Sequence, residues 1–181
     1  CGFIELGVVL QASGRTLVAS PLFSSVVLAA SGILLGGTEV QKSALLPRIA
    51  SGDLLVSLAL EEGPHHNPSA IATTAAPQQD GYVINGGKVH VLDGHVADQF
   101  IVVARTGGES GNEQGISLFM VQRAQCGVSV ARRVMVDGRN MAEVRLQDVA
   151  VSGDALLGEL HQGYGLLVRI LDRGNIALAA E

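Results

Sequence analysis

Residues 54–92 read LLVSLALEEGPHHNPSAIATTAAPQQDGYVINGGKVHVL, and within them the hydrophobic period of the chain changes. Val56, Leu58 and Leu60 alternate with Ser57 and Ala59, the period of two that belongs to a strand with one face turned to a core. A Pro/His-rich loop follows, then a second short strand over residues 70–75, a turn at Gln78-Gln79-Asp80-Gly81, and a strand resuming at 82–84. Asn85-Gly86 is a strong short hairpin signal, since both residues accept positive φ. It predicts a return strand over 88–92, closed by Asp93-Gly94.

Upstream of this stretch the pattern is helical. Apolar residues at Ile4, Val8, Val9 and Leu10 predict a helix over 4–17 with no evident N-terminal cap. Ser20-Pro21 opens a second helix, with Ser able to accept from an early N–H and Pro suited to the first turn; Gly36-Gly37 ends it. Thr38 and Gln41 form a capping box for a third helix that runs towards Gly52, with a break expected near Pro47. Downstream, residues 100–104, 116–121, 128–136 and 142–151 are apolar strands, the last two joined through Asp137-Gly138. This regular spacing predicts a β-sandwich or barrel. Helical spacing returns over 163–181 through Leu166, Ile170 and Leu171. The fold class is therefore α+β: a helical segment over 1–53, an antiparallel β-domain over 54–158, and the start of a helical bundle over 159–181.

Composition narrows the function classes. Hydrophobic residues make up 48% of the 181 and charged ones 16%, with 23 glycines, which describes a core-rich, turn-rich folded chain. Twelve basic and 17 acidic residues give a net charge of −5 without a basic run, so nucleic acid is not expected as a partner. The most apolar run, PLFSSVVLAASGILLGG over residues 21–37, is shorter than roughly 20 residues and carries serines and glycines. It reads as a buried helix, so no membrane partner is expected and a cytoplasmic location is. Cys1 and Cys126 lack a spaced partner motif and read as free thiols, Cys126 as a small hydrophobe at a turn edge. Glu61, Glu62, His65 and His66 are residue types that bind zinc or iron, but one loop without a second ligand cluster predicts no metal site. The glycines at 158, 163 and 165 lack the Lys-Ser/Thr of a phosphate loop and read as a turn before a helix.

Several segments together resemble the acyl-CoA dehydrogenases. LLPRIASGD, residues 45–53, is similar to that family's LP-x4-G entry into its β-domain. Residues 58–62 stand where the family has A-x-T-E-P, and DGYVINGGKVHVLDG, residues 80–94, resembles D-G-Y-x-I-N-G-x-K. VRLQDVAVSGDALLGELHQGYG, residues 144–165, resembles the L-x-F-D-D-V-x-V-P segment with its following glycines, and LDRGNIALAAE resembles the start of the next helix. The resemblance implies FAD as cofactor, an acyl-CoA substrate, an electron-transfer flavoprotein-like acceptor, and assembly with itself or a related subunit. It implies α,β-dehydrogenation of an acyl-CoA thioester, with hydride passing to flavin N5.

Carried over position by position, the resemblance places flavin contacts at Leu58, Leu60, Glu61, His66, Asn67, His90, Val91 and Leu92. It places acyl-CoA contacts at Asn67, Asp172, Gly174 and Asn175, and the catalytic base beyond Glu181. The residue types depart from the pattern: Glu61 stands for a Thr, the Gly-Ser of the loop is His66-Asn67, W-I-T is His90-Val91-Leu92, and a Thr-Arg pair is Gly174-Asn175. Leu92 lacks the hydroxyl a Thr would offer, and a carboxylate at Glu61 would oppose negative charge on a reduced flavin. The resemblance thus implies either a divergent FAD-dependent dehydrogenase or a non-catalytic partner subunit of the same fold.

Overall fold

A computed structural model describes residues 2–136 and 138–181. Helix α1 (Phe3–Arg15) is followed by a π-helical stretch (Leu22–Ala29) that continues directly into α2 (Ala30–Gly36), then α3 (Glu39–Ser51). Eight strands come next: β1 (Val56–Ala59), β2 (Thr74–Gln78), β3 (Gly81–Leu92), β4 (Gln99–Arg105), β5 (Ile116–Gln122), β6 (Val128–Val134), β7 (Asn140–Ser152) and β8 (Leu156–Leu157). Helix α4 (Gly163–Ala180) closes the described chain.

The strands form one sheet in the order β6-β7-β3-β2-β4-β5-β8, with β1 beside β4. Pairing is antiparallel except where β1 runs parallel to β4 and where Thr74 meets Arg105. The sheet is open, not a closed barrel. Strand β4 explains how one sheet serves two cores. Ile101 and Val103 point to a helical layer built from Ala29, Ile33, Leu167 and Ile170, joined by Val56 and Leu58 of β1 and by Leu60 just after it. Phe100, Val102 and Ala104 point the other way, onto Ile84, Val144, Leu146 and Val149. A strand buried on both faces needs a continuous apolar run, and FIVVA supplies it.

The helices approach the sheet closely because small residues sit at the crossings. A Cβ on Gly32 would stand 3.1 Å from Ile101, and one on Gly174 would stand 2.7 Å from Leu28. In the π-helical stretch the widened turns coincide with buried Ser24 and Ser25. Their hydroxyls serve partners outside the helix: Ser24 donates to Asp93 Oδ2 at 2.7 Å, and Ser25 accepts from the Val56 N–H at 3.1 Å. The predicted capping box of α3 is present, Thr38 accepting from Gln41 N–H at 3.2 Å and Gln41 accepting from Thr38 N–H at 2.9 Å. Glu5 supplies an acceptor at the start of α1 that the sequence reading did not assign, taking the Gly2 N–H at 2.6 Å. The turn expected at Asp137-Gly138 falls on Asp137, outside the described residues, as does Cys1. Cys126 is free and exposed in the β5–β6 connection.

Three local expectations are corrected. Helix α3 runs through Pro47 without a break, held at one end by its capping box and at the other by Gly52, whose φ of 81° forms a left-handed cap. The strand expected over 70–75 begins only at Thr74, because Ala72 and Thr73 donate their N–H groups to the Glu62 carboxylate, at 2.7 and 3.0 Å, and not to a neighbouring strand.

Asn85-Gly86 makes no hairpin. Strand β3 passes through both residues, and its register against β7 shifts between Ile84 and Gly86. Asn85 accepts from Asp148 N–H at 2.8 Å and donates to Asp148 Oδ1 at 3.1 Å, so its side chain pins a bulge. Gly86, at φ 153°, lets Thr73 approach so closely that a Cβ would stand 2.7 Å from the Thr73 Cα. The reversal lies at Gln79-Asp80, where Gln78 pairs with Gly81. Gly86→Ala is expected to cost about 2 kcal/mol from backbone strain and displacement of Thr73, read as a lower denaturant midpoint at unchanged slope.

Candidate functional site

The end of β1 carries two adjacent carboxylates that serve different structures. Glu61 Oε1 lies 2.5 Å from His66 Nδ1, and its other oxygen accepts from Asn67 N–H at 3.4 Å. Glu62 turns inward: Lys88 Nζ donates to it at 2.6 Å and to the Leu60 carbonyl at 3.0 Å. Lys88 is fully buried, with a side-chain exposure of 0% against 14% for Glu62. Burial pushes the Lys88 ammonium down to about 8, with the Glu62 charge pulling against that shift. Burial raises the Glu62 carboxyl, but the charge and hydrogen bond of Lys88 prevail and hold it below its ordinary value.

A second buried cation fixes the loops behind this strand end. The Arg105 guanidinium donates to five backbone carbonyls: Ile71 at 2.9 Å, Ser69 at 3.1 Å, Asn112 at 2.9 Å, Gln114 at 3.0 Å and Gly107 at 3.3 Å. No carboxylate balances it among the described hydrogen bonds; carbonyl dipoles converge on it instead. The path from Glu61 to β2 is thus clamped at Ala72-Thr73 by Glu62 and at Ser69 and Ile71 by Arg105.

Of the positions proposed for flavin, the structure gathers Glu61, His66 and Asn67 into one cluster. The Val89 N–H, next to His90 in the chain, donates to the Glu61 carbonyl at 2.7 Å. His90 is exposed, at φ 52°. Leu58 and Leu60 are buried in the helix-facing core and Val91 in the other. Leu92 lines a separate cleft of about 210 Å³ with Leu10, Leu17, Leu22, Phe23 and Asp93. On α4, Gly174 is buried against Leu28, while Asp172 and Asn175 are exposed.

Asp93, which sequence reasoning passed over as a turn residue, is 7% exposed. Burial raises its carboxyl above the ordinary value, against the Ser24 hydrogen bond and the charges of His95 and Arg139. Among the described residues no group of three or more His, Cys, Asp or Glu is placed to hold a metal ion. None of their helices is long and apolar enough to cross a membrane.

Two of the matched positions do not suit a flavin ring. Its carbonyl oxygens and pyrimidine nitrogens call for hydrogen-bond donors, above all as negative charge builds on reduction. Glu61 offers a carboxylate, which only accepts when ionised, and Leu92 an alkyl group, whereas Asn67 and His90 carry side-chain donors. The nearest side-chain donor to that carboxylate, His66, is engaged by it.

An open, mostly antiparallel sheet whose β1 and β4 are backed by helices, with a strand end locked by a buried Glu–Lys pair, defines the architecture. The family described as acyl-CoA dehydrogenase, middle domain, matches residues 59–149. This chain belongs to the acyl-CoA dehydrogenase family. It is 33% identical over 159 residues to the mitochondrial very long-chain specific acyl-CoA dehydrogenase of Rattus norvegicus, covering 82% of this chain and 24% of that protein. The solved structure of the Tcur3481-Tcur3483 steroid ACAD superposes with a TM-score of 0.90 at 26% identity, over 99% of this chain and 47% of that one. The ChsE4-ChsE5 complex from Mycobacterium tuberculosis gives a TM-score of 0.83 at 28% identity, over 99% and 45%. The chain spans between about a quarter and two fifths of the length of curated relatives such as the Bacillus subtilis acyl-CoA dehydrogenase.

Proposed function

We propose that this chain is the middle part of a subunit in an acyl-CoA dehydrogenase assembly. The assembly is an oxidoreductase that forms the α,β double bond of an acyl-CoA thioester and passes electrons to an electron-transfer flavoprotein-like acceptor. Within it, this subunit works beside a related partner that holds FAD, and does not grip the flavin ring with its own strand end. The observation that carries this reading is the Glu61–His66 pair, closed at 2.5 Å where the family pattern has a hydroxyl and a glycine. Leu92 supports it, as do two-component names among the similar structures. The exposed Asp172 and Asn175 are available for contacts with CoA or with the partner, and the proton-abstracting carboxylate is assigned to residues outside these 181.

Visible absorbance tests the reading. The full-length protein expressed alone is expected to purify colourless. Co-expressed with its related subunit, it should yield a yellow complex that oxidises acyl-CoA with an artificial electron acceptor. Stoichiometric flavin on the protein purified alone would refute the partner-subunit reading in favour of a self-sufficient FAD-dependent dehydrogenase.

A further inference from the structure

Two buried hydroxyls tie the π-helical stretch to the sheet side of the molecule, and they differ in kind. Ser25 accepts from the Val56 N–H at 3.1 Å, a neutral bond that no titration alters. Ser24 donates to Asp93 Oδ2 at 2.7 Å, and its Oγ also lies 3.1 Å from the Pro21 carbonyl at the start of its own helix. Most π-helical turns occur singly within α-helices, so a run of eight residues leans on such outside bonds.

Asp93 is fixed in place by its backbone. It stands at φ 54°, its N–H donates to the Asn140 carbonyl at 2.8 Å, and its carbonyl accepts from Val96 at 3.0 Å and Ala97 at 3.2 Å. Arg123 donates to the His95 carbonyl of the same turn. The charges that act on the carboxyl are those of His95, when protonated, and Arg139, which has Glu181 3.7 Å away. His95 Nδ1 is buried and has no hydrogen-bond partner among the described residues. Burial, the largest influence, favours the neutral acid; Ser24, His95 and Arg139 favour the carboxylate and do not offset it.

The two charge states use Ser24 differently. Ionised, Asp93 takes the Ser24 hydrogen and leaves a negative charge largely out of water. Protonated, it can donate its own O–H to Ser24 Oγ, which frees the Ser24 hydrogen for the Pro21 carbonyl. Both hydrogens then have acceptors and no charge is buried.

We propose that Ser24 and Asp93 form a pH-sensitive latch on the π-helical stretch, held closed while the carboxyl keeps its proton and loosened when it ionises. The closed state binds more protons than the open one between the carboxyl's value in water and its raised value in the fold. Closure therefore weakens as the pH rises through that window and is constant above it.

The test is hydrogen exchange read by mass spectrometry on the full-length protein in its assembly, from mildly acidic to neutral pH, with intrinsic exchange rates divided out. Protection of residues 22–30 relative to residues 100–104 of β4 is expected to fall several-fold as the pH rises. Asp93→Asn keeps the size, tolerates φ 54° and can still accept from Ser24. It should make that ratio flat with pH, at or above the wild-type level in acid. Ser24→Ala, a second and smaller change, should lower protection more at neutral pH than in acid, because the carboxylate loses its donor. A flat ratio in wild type, or a pH dependence that survives Asp93→Asn, overturns the proposal. So does loss of the dependence in His95→Asn while Asp93→Asn retains it, which would make the imidazole the titrating group.

Discussion

Lys88→Met is expected to destabilise the protein by about 3–5 kcal/mol, because it leaves the Glu62 carboxylate buried beside an alkyl chain. Two contacts disappear with the ammonium, the 2.6 Å pair with Glu62 and the 3.0 Å bond to the Leu60 carbonyl. The double variant Lys88→Met, Glu62→Gln should recover part of the loss, since an amide needs no counter-charge. It should not recover all of it, because an amide oxygen can take only some of the Ala72 and Thr73 N–H bonds.

The same pair gives stability a pH dependence of known sign. The Lys88 ammonium titrates near 8 in the fold and at 10.5 when free, so between those values the unfolded chain binds more protons and this residue's contribution rises with pH. Glu62 runs the other way: its folded value lies below 4.5, so its contribution is present above 4.5 and is lost as the pH falls through the folded value. Chemical denaturation across pH should therefore show wild type gaining relative to Lys88→Met from pH 8 to 10.5. Parallel curves in that window would mean that the ammonium is not desolvated.

Arg105→Met is expected to cost a comparable amount, roughly 3–5 kcal/mol, at about one per lost carbonyl bond. The distinguishing sign is local. Five carbonyls from two stretches of chain depend on one guanidinium, so the loop over residues 107–115 and the path through Ser69 should become sensitive to protease before global unfolding. Arg105→Lys retains the charge but cannot span five acceptors, and should restore less than half of the loss. If Arg105→Met leaves both the denaturant midpoint and the cleavage pattern unchanged, those carbonyls are satisfied by water and the clamp is not a clamp.

Much of the fold is legible because it rests on local periods and caps. The alternation at Val56, Leu58 and Leu60 assigns those residues to one core, the first two on one face of β1, and the Thr38–Gln41 pair marks the start of α3. Both need only near neighbours in the chain. Asn85-Gly86 misleads for the opposite reason: positive φ suits a tight hairpin and a bulge alike, and the choice is made by Asp148 and Thr73, distant in sequence. The candidate site divides in the same way. The motif around residues 80–94 points to the right strand, but which carboxylate meets Lys88 and which meets His66 depends on the path of a loop between Pro64 and Pro68. Arg105 and Asp93 give no sequence signal. One ends an ordinary apolar strand and the other sits in an ordinary Asp-Gly turn, and only burial sets them apart.

Glu61 and Glu62 are neighbours in the chain with separate obligations. Glu62 and Lys88 hold the scaffold, whereas Glu61 and His66 form a surface fitting that the core does not need. Chemistry at this strand end can therefore be discarded, restored or exchanged by changing one pair, a half-buried Glu61 and an exposed His66, with the supporting lock untouched. Such an arrangement makes the fold evolvable: a change at the strand end leaves the packed scaffold beneath it in place.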